Sequence, residues 1–332
     1  MTKLLSMRAA IAEHVPDGCL VALGLQLEQM IPFAAGHEII RQRKHGLTLI
    51  GPISDILFDQ LIGAGCVERV IAAWVGNVMM GSAYNFRRAV EEENPATPGR
   101  PLQVTNMTNF SMALALQAAA MGVPFLPTYT ALGSDVAKEN EFFTEMTSPF
   151  ENPAEPRSAS AAGGGTPRPS SRNHVNRRLH AIRALTPDVA IVHVQRADEH
   201  GNAHCWGNFG VMLEAVRAAR RVIVVAEEVV APEVIASDPN RTVIPGFLVS
   251  AVVESLGGAH PSPVQGYYKR DDAFFRQYHE QTKTPADNAR WLERWVYGVA
   301  ERAAYLEQLG DCRLAALKTK QHAYAAAADF GY

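Results

Sequence analysis

The sequence predicts an open α/β fold, a doubly wound and mostly parallel sheet with helices on both faces. Three observations predict it. Short apolar runs alternate with stretches of helical spacing along most of the 332 residues. Gly, Pro, Asn and Ser punctuate the ends of those runs. The stretch from Asp17 to Pro32, D-G-C-L-V-A-L-G-L-Q-L-E-Q-M-I-P, reads as strand, loop and helix start. In open α/β folds such loops lie over the carboxyl edge of the sheet, where ligands bind.

The elements follow in order. Residues 3–15 have helical spacing, with Leu4, Leu5, Ile11 and Val15 on one side. Asp17-Gly18 is a turn pair, and residues 19–23 suffice for one buried strand. Gly24 ends it, where the backbone can take angles other residues resist. Gln26, Glu28 and Gln29 form a polar loop, and Pro32 suits the first turn of the next helix. Residues 47–50 are a strand broken by Gly51-Pro52, and Ser54 is a helix N-cap with Asp55 in the first turn. A third strand covers 67–75 and ends at Gly76-Asn77; residues 85–93 are helical, 102–104 a short strand and 109–121 an alanine-rich helix. Phe125-Leu126 continues toward the same sheet.

Residues 151–178 break the pattern. Ala161-Ala162-Gly163-Gly164-Gly165, two prolines and several Ser and Arg leave little to bury, which reads as a flexible insert. The second half resumes with a strand over 189–194, the turn Asp198-Glu199-His200-Gly201-Asn202 and an antiparallel return over 203–206. Residues 221–226 form a strong strand ending at Glu227-Glu228, and 247–253 is an apolar run. Helices over 271–281 and 287–309 close the chain. Trp291, Trp295, Val299 and Leu306 lie near helical spacing and read as a packing face.

Composition narrows the function. The chain is 47% hydrophobic and 20% charged, with a net charge of -3, so nothing favours nucleic acid or an anionic membrane as partner. Met1 to Ala12 lacks a signal-peptide core, and no window is apolar enough to span a bilayer. The four cysteines show no metal spacing, which points to a reduced, cytoplasmic protein. His200, His204 and Cys205, with His193 near, raise a metal site. Residues 200 and 204 of a hairpin need not converge, however, and no cluster completes four ligands, so the reading is a turn with two exposed histidines. Glu227 and Glu228 point to opposite faces of their strand, so only one can line a given site; the other reading is capping or salt-bridging acids. Ser54 and Ser134 lack a nucleophile elbow, and Cys66 reads as core.

Further motifs occur in order: Leu61-Ile62-Gly63, Arg87, Ala118-Ala119-Ala120 with Pro124-Phe125-Leu126-Pro127, Thr147-Ser148-Pro149-Phe150, Pro187-Asp188-Val189-Ala190-Ile191, Asp238-Pro239, Ile244-Pro245-Gly246 and Gly258-Ala259-His260-Pro261-Ser262. With the Asp17-Gly18 strand and Glu227-Glu228, they make a chain that resembles the alpha subunit of family I coenzyme A-transferases, of the glutaconate CoA-transferase kind. The resemblance covers most of residues 3–310. It implies an α/β/α fold of the NagB/RpiA/CoA-transferase-like kind, one domain over 1–310 interrupted by the 151–178 insert, and a C-terminal tail over 311–332. It also implies a separate beta subunit, typically in an α2β2 heterotetramer, with coenzyme A as substrate and no permanently bound cofactor. In such enzymes a glutamate of the beta subunit attacks the acyl-CoA thioester, and a glutamyl-CoA thioester follows. The Ser-Glu-Asn-Gly motif that carries this glutamate is absent here, so the resemblance assigns this chain no nucleophile.

By the same resemblance, Gly24 and Leu25 are the oxyanion and CoA loop, and Gln26, Ser54, Asn77, Val78 and Asn109 line the substrate site. Three departures matter. The family's Gly-Gly-Phe is Gly24-Leu25-Gln26, the serine after the matching asparagine is Val78, and 151–178 replaces a short segment. Val78-Met79-Met80 implies a more apolar acyl pocket. Ring-opening hydrolases of the superfamily carry a carboxylate where Asn109 stands; an amide cannot act as that base. A hydrolase using other residues, or a non-catalytic CoA-binding subunit, are the alternatives.

Overall fold

The computed structural model describes residues 2–81, 83–150 and 178–319. Its elements are α1 (Met7–His14), β1 (Leu20–Ala22), α2 (Phe33–Arg41), β2 (Leu47–Ile53), α3 (Asp55–Gly63), β3 (Val67–Trp74), α4 (Tyr84–Glu91), β4 (Gln103–Asn106) and α5 (Asn109–Ala120). Then come β5 (Phe125–Thr128), β6 (Phe143–Thr147), β7 (Arg178–Arg183), β8 (Val189–Ala197), β9 (Ala203–His204), α6 (Met212–Ala218), β10 (Arg221–Val229) and α7 (Pro232–Ala236). The chain continues through β11 (Thr242–Ile244), β12 (Ala251–Glu254), α8 (Asp272–Gln281), α9 (Pro285–Leu292), a π turn (Glu293–Tyr297), α10 (Arg302–Leu309) and α11 (Asp311–Leu317).

Seven strands pair in parallel in the order β4-β3-β2-β1-β8-β10-β12, so the winding reverses between β1 and β8. That reversal is the switch point of a doubly wound sheet. The short β9 and β11 add antiparallel pairs beyond it, at the carboxyl end of β8. Alternation along each strand builds two cores. Val21, Leu23, Ile191, Val225 and Val253 face α1–α4 and α8–α10, whereas Ala22, Ala190, Val192, Val224 and Val252 face α5 and α6. The sheet is therefore buried on both sides, as parallel sheets are.

Four expectations are corrected. The helix expected over 3–15 begins only at Met7, capped by Ser6 Oγ, which accepts from Ala9 N at 3.2 Å. Lys3 and Leu5 instead hydrogen-bond the backbone of Val252 in both directions, at 2.9 Å each, and so cover the outer edge of β12. Phe125-Leu126 does not join the main sheet. β5 pairs with β7, and β7 with β6, in a separate antiparallel sheet, and Arg178 belongs to β7 rather than to the insert. The rest of the insert lies outside the described residues. Within the apolar run over 247–253, Phe247 is 84% exposed, and the pairing strand is Ala251–Glu254. The two histidines of the 198–204 turn are not both exposed. His204 is buried, and its Nε2–H donates to Ile235 O at 2.9 Å.

The helix expected over 287–309 is broken. Gly298 N donates to Glu293 O at 2.7 Å, closing the π turn, and α10 restarts at Arg302. The break folds the aromatic stripe into a cluster. Phe274 sits 5.1 Å from the Trp291 ring and 5.0 Å from that of Trp295, and Trp295 lies 5.5 Å from Tyr305. From the 311–332 stretch, Asp311–Leu317 is helical, and Arg313 grips Asp271 at 2.5 and 2.8 Å. Residues beyond 319 lie outside the described part. Trp291→Ala leaves a void among these rings, and we expect it to destabilise the chain by about 3–5 kcal/mol. A chemical denaturation midpoint unchanged from wild type would remove the cluster from the core.

Candidate functional site over the sheet edge

At the carboxyl end of β1, Gly24 takes φ +67, and a Cβ there would lie 2.3 Å from Ser54 Oγ. Ser54 Oγ donates to Leu23 O at 3.1 Å, so the ends of β1 and β2 are locked together. Among the described residues, the N–H groups of Gly24, Leu25 and Gln26 meet no acceptor. Leu25 O accepts from Val211 N at 2.9 Å, which pins the segment before α6 across this loop. Gln26 is 1% exposed, and its Nε2 donates to sulfur atoms, Cys205 Sγ at 3.4 Å and Met30 Sδ at 3.7 Å. From the far side Ser262 Oγ donates to Glu28 O at 2.7 Å, and Met30 N donates to Pro263 O at 3.0 Å. The Gly258-to-Ser262 motif thus clasps the loop. Leu27 and Met30 take φ 62 and 50, backbone angles that side chains resist and this bracing holds.

After β2, Asp55 has φ 48 and no exposed surface. Its Oδ2 accepts from Arg270 Nη2 at 2.7 Å and its Oδ1 from Val78 N at 3.2 Å. Arg270 Nη1 reaches Glu28 at 2.9 Å, and its guanidinium stacks 4.0 Å over the Phe275 ring. Burial pushes the Asp55 carboxyl up to about 6, against the pull of Arg270. After β3, Asn77 Oδ1 accepts from Met79 N and Met80 N, both at 3.2 Å, and Nδ2 donates to Phe275 O at 2.9 Å. A tight turn over 77–81 results. It holds Val78 half-buried and leaves Met79 and Met80 exposed. After β4, Thr108 caps α5, and Asn109 is exposed on its first turn.

The structure thus gathers Gly24, Leu25, Gln26, Ser54, Asn77 and Val78 over β1 to β3, with Asn109 on the next strand end. The side chains of Gln26, Ser54 and Asn77 are each 1% exposed, and the bonds they make run to the protein itself. Asp55 and Arg270 were missed in the sequence. Asp55 stood beside Ser54 as a mere first-turn acid, and Arg270 lies in no pattern that ties it to β2.

Glu227 and Glu228 do point to opposite faces. Glu228 pairs with Arg196 at 3.0 Å, half-exposed. Glu227 is buried, accepting from His193 Nε2 at 2.7 Å, Tyr268 OH at 2.6 Å and Gly257 N at 2.7 Å. Burial pushes the thiols up, Cys19 to about 11 and Cys66 and Cys205 to about 12, so none of the three is a thiolate near neutral pH. Among the described residues, no three His, Cys, Asp or Glu side chains come together to hold a metal ion, and no helix is long and apolar enough to cross a membrane.

These features define an open α/β protein with polar loops gathered beside the switch point of its sheet. The profile of the family described as Coenzyme A transferase matches residues 4–255. The chain is similar to the A subunit of 3-oxoadipate CoA-transferase from Pseudomonas knackmussii, 32% identical over 94% of this chain and 99% of that one. It is similar to the A subunit of glutaconate CoA-transferase from Acidaminococcus fermentans, 30% identical over 96% and 95% of the two chains. The crystal structure of glutaconate coenzyme A-transferase from that organism superposes with a TM-score of 0.82 over 96% of each chain, at 29% identity. A further relative is a cholesterol ring-cleaving hydrolase IpdA subunit of Rhodococcus jostii, 28% identical over 89% of this chain and 92% of that one. The chain belongs to the coenzyme A transferase family.

Two outcomes test the geometry. Gly24→Ala meets both a left-handed backbone and the Ser54 side chain, whereas Gly18 has φ +73 with open space around its Cβ position. Gly24→Ala should lower the melting temperature well beyond the effect of Gly18→Ala, which costs about 1 kcal/mol; equal losses would show that the β1–β2 contact is loose. For Asp55 the folded carboxyl ionises above the unfolded value of 3.8. Its contribution is therefore full below about pH 4 and fades as pH rises through about 6, by roughly 2–3 kcal/mol. Stability measured against pH in Asp55→Asn should lack this decline, and a profile parallel to wild type would contradict the burial effect.

Proposed function

We propose that this chain is the alpha subunit of an acyl-CoA:carboxylate CoA-transferase that works through a glutamyl-CoA thioester on a separate, similarly folded beta subunit, the pair assembling as α2β2. The observation that carries the reading is the loop over β1. It presents unspent N–H groups of Gly24, Leu25 and Gln26 beside the switch point, and its one carboxylate, Glu28, is engaged by Arg270 at 2.9 Å. Backbone donors of this kind suit an oxyanion formed when a thioester carbonyl is attacked by a group from elsewhere. End-to-end similarity to two proteins named as A subunits of CoA-transferases supports the same reading.

The residues then divide the work. Gly24 and Leu25 offer N–H groups to the oxyanion. Gln26 spends its amide N–H on sulfur, a weak acceptor, and can turn it to a carboxylate or carbonyl at small cost. Asn77 fixes the turn that presents Val78, Met79 and Met80, an apolar wall for the acyl chain. Ser54 holds the oxyanion loop against β2, and Asn109 faces outward where a partner's substrate would approach. The similarity to a ring-cleaving hydrolase subunit raises hydrolytic ring opening, but an amide at 109 supplies no base for that water; a CoA-thioester hydrolase using other residues is the second reading.

The test is acyl exchange by the chain alone and by the chain co-expressed with its beta partner, using isotopically labelled carboxylate acceptor. Transfer of CoA to the acceptor only by the pair is expected. Release of free CoA without transfer sinks the transferase reading in favour of hydrolysis. Gln26→Ala should lower kcat/KM of the pair about tenfold or more; unchanged turnover removes Gln26 from the site.

A further inference from the structure

The loop over β1 is held by residues far from it in the sequence. Residues 257–263, which leave β12 toward α8, lie against it. Gly258 O accepts from Ala34 N at 2.9 Å in the first turn of α2, and Pro263 O accepts from Met30 N at 3.0 Å. Between them Ser262 Oγ donates to Glu28 O at 2.7 Å and accepts from Ile31 N at 3.4 Å. These bonds fix residues 28–34, the stretch that follows the N–H groups of Gly24, Leu25 and Gln26.

Residues 257–263 have a seat of their own, and Glu227 builds it at the carboxyl end of β10. Its Oε2 accepts from Gly257 N at 2.7 Å, and its Oε1 from His193 Nε2 at 2.7 Å and Tyr268 OH at 2.6 Å. Tyr268 OH in turn accepts from Ala259 N at 3.2 Å. Burial, and then the Glu227 charge, push Tyr268 well above the usual tyrosine range, so it keeps the proton it donates. His193 fills the floor under Gly258, where a Cβ would lie 2.9 Å from His193 Cε1 and 2.7 Å from Ser255 O. Arg302 closes the seat from the other side, donating to Gly257 O at 2.9 and 2.5 Å and to His260 O at 2.8 Å. The side chains of Glu227 and His193 have no exposed surface, so water does not compete for these bonds. Among the described residues, Glu227 bonds no group of residues 24–34, and its hold on them passes through residues 257–263.

We propose that Glu227 is a positioning residue for the oxyanion loop. Its carboxylate fixes Gly257 and Tyr268, these fix residues 257–263, and those hold residues 28–34 so that the N–H groups of Gly24, Leu25 and Gln26 stay aimed at one point. This role deepens the transferase reading and rests on it for the charge that those N–H groups meet. Preorganised donors act on the transition state, so a loosened loop lowers kcat more than it weakens substrate binding. Glu228 is the control that the fold supplies. It stands at the same strand end on the opposite face, where it pairs with Arg196.

Hydrogen exchange of residues 24–34 in the full chain, alone and in the assembled pair, tests the role together with kcat and KM of the pair. In Glu227→Gln one acceptor oxygen faces three donors, so the seat loosens. Exchange at Met30, Ile31 and Ala34 should quicken about tenfold, and kcat should fall about tenfold at unchanged KM. Tyr268→Phe keeps the ring and should show about a threefold change in each, which preserves the test if Glu227→Gln fails to fold. Glu228→Gln should change neither. In a Ser262→Ala background the link is already loose, so Glu227→Gln or Tyr268→Phe should cost less kcat than in wild type. Exchange or kcat unchanged in both variants, or a kcat loss undiminished in the Ser262→Ala background, overturns the role. Exchange needs no acyl-CoA. A wild-type pair that turns over no thioester removes the transferase reading, and exchange of residues 24–34 still decides whether Glu227 holds the loop.

Discussion

Arg270 reaches Asp55 at 2.7 Å beneath the loops, and through that one ion pair three strand ends are held in register. The same guanidinium extends to Glu28 in the β1 loop, while the other oxygen of Asp55 takes Val78 N in the turn after β3. Phe275, under the Arg270 plane, supplies the carbonyl that fixes Asn77. Removing one partner of such a pair would strand a buried charge, a loss of about 3–5 kcal/mol where it has been measured. Asp55 makes these contacts from a φ of 48, a backbone angle that side chains resist and that the surrounding contacts must hold.

That bracing lets the loops over the sheet edge present a precisely held surface. The polar side chains singled out at the sheet edge are mostly structural: Ser54 and Asn77 spend their bonds on neighbouring backbone. What they leave free is main-chain N–H of the β1 loop, rigidly placed. Preorganised backbone donors stabilise developing negative charge without reorganising, which is the larger part of many acyl-transfer rate enhancements.

Much of this was legible in the sequence, because it is local. Gly24 and Pro32 mark the loop between β1 and α2, and the apolar runs of β2, β3, β8 and β10 stand out between turn residues. The family resemblance through Pro187-Asp188 and Gly258 to Ser262 pointed to the same fold, and the clasp made by Ser262 on Glu28 shows one physical use of that motif. What stayed hidden depends on partners distant in the chain. Lys3 and Leu5 leave the helical pattern because β12 offers an open edge, and Phe125 pairs with Arg183 across the insert. Asp55 and Arg270 carry no local signature, and the π turn at Glu293–Tyr297 reads as ordinary helix until Phe274 and Tyr305 are seen beside it.

The most direct measurement is the intact mass of both chains of the assembled pair after incubation with acyl-CoA and borohydride. A glutamyl-CoA thioester on the partner is reduced to an alcohol, so the partner's mass should fall by the corresponding amount while this chain's mass stays unchanged. An adduct or a mass change on this chain instead, or turnover with neither chain altered, would contradict a mechanism in which this chain supplies the oxyanion loop and its partner the nucleophile.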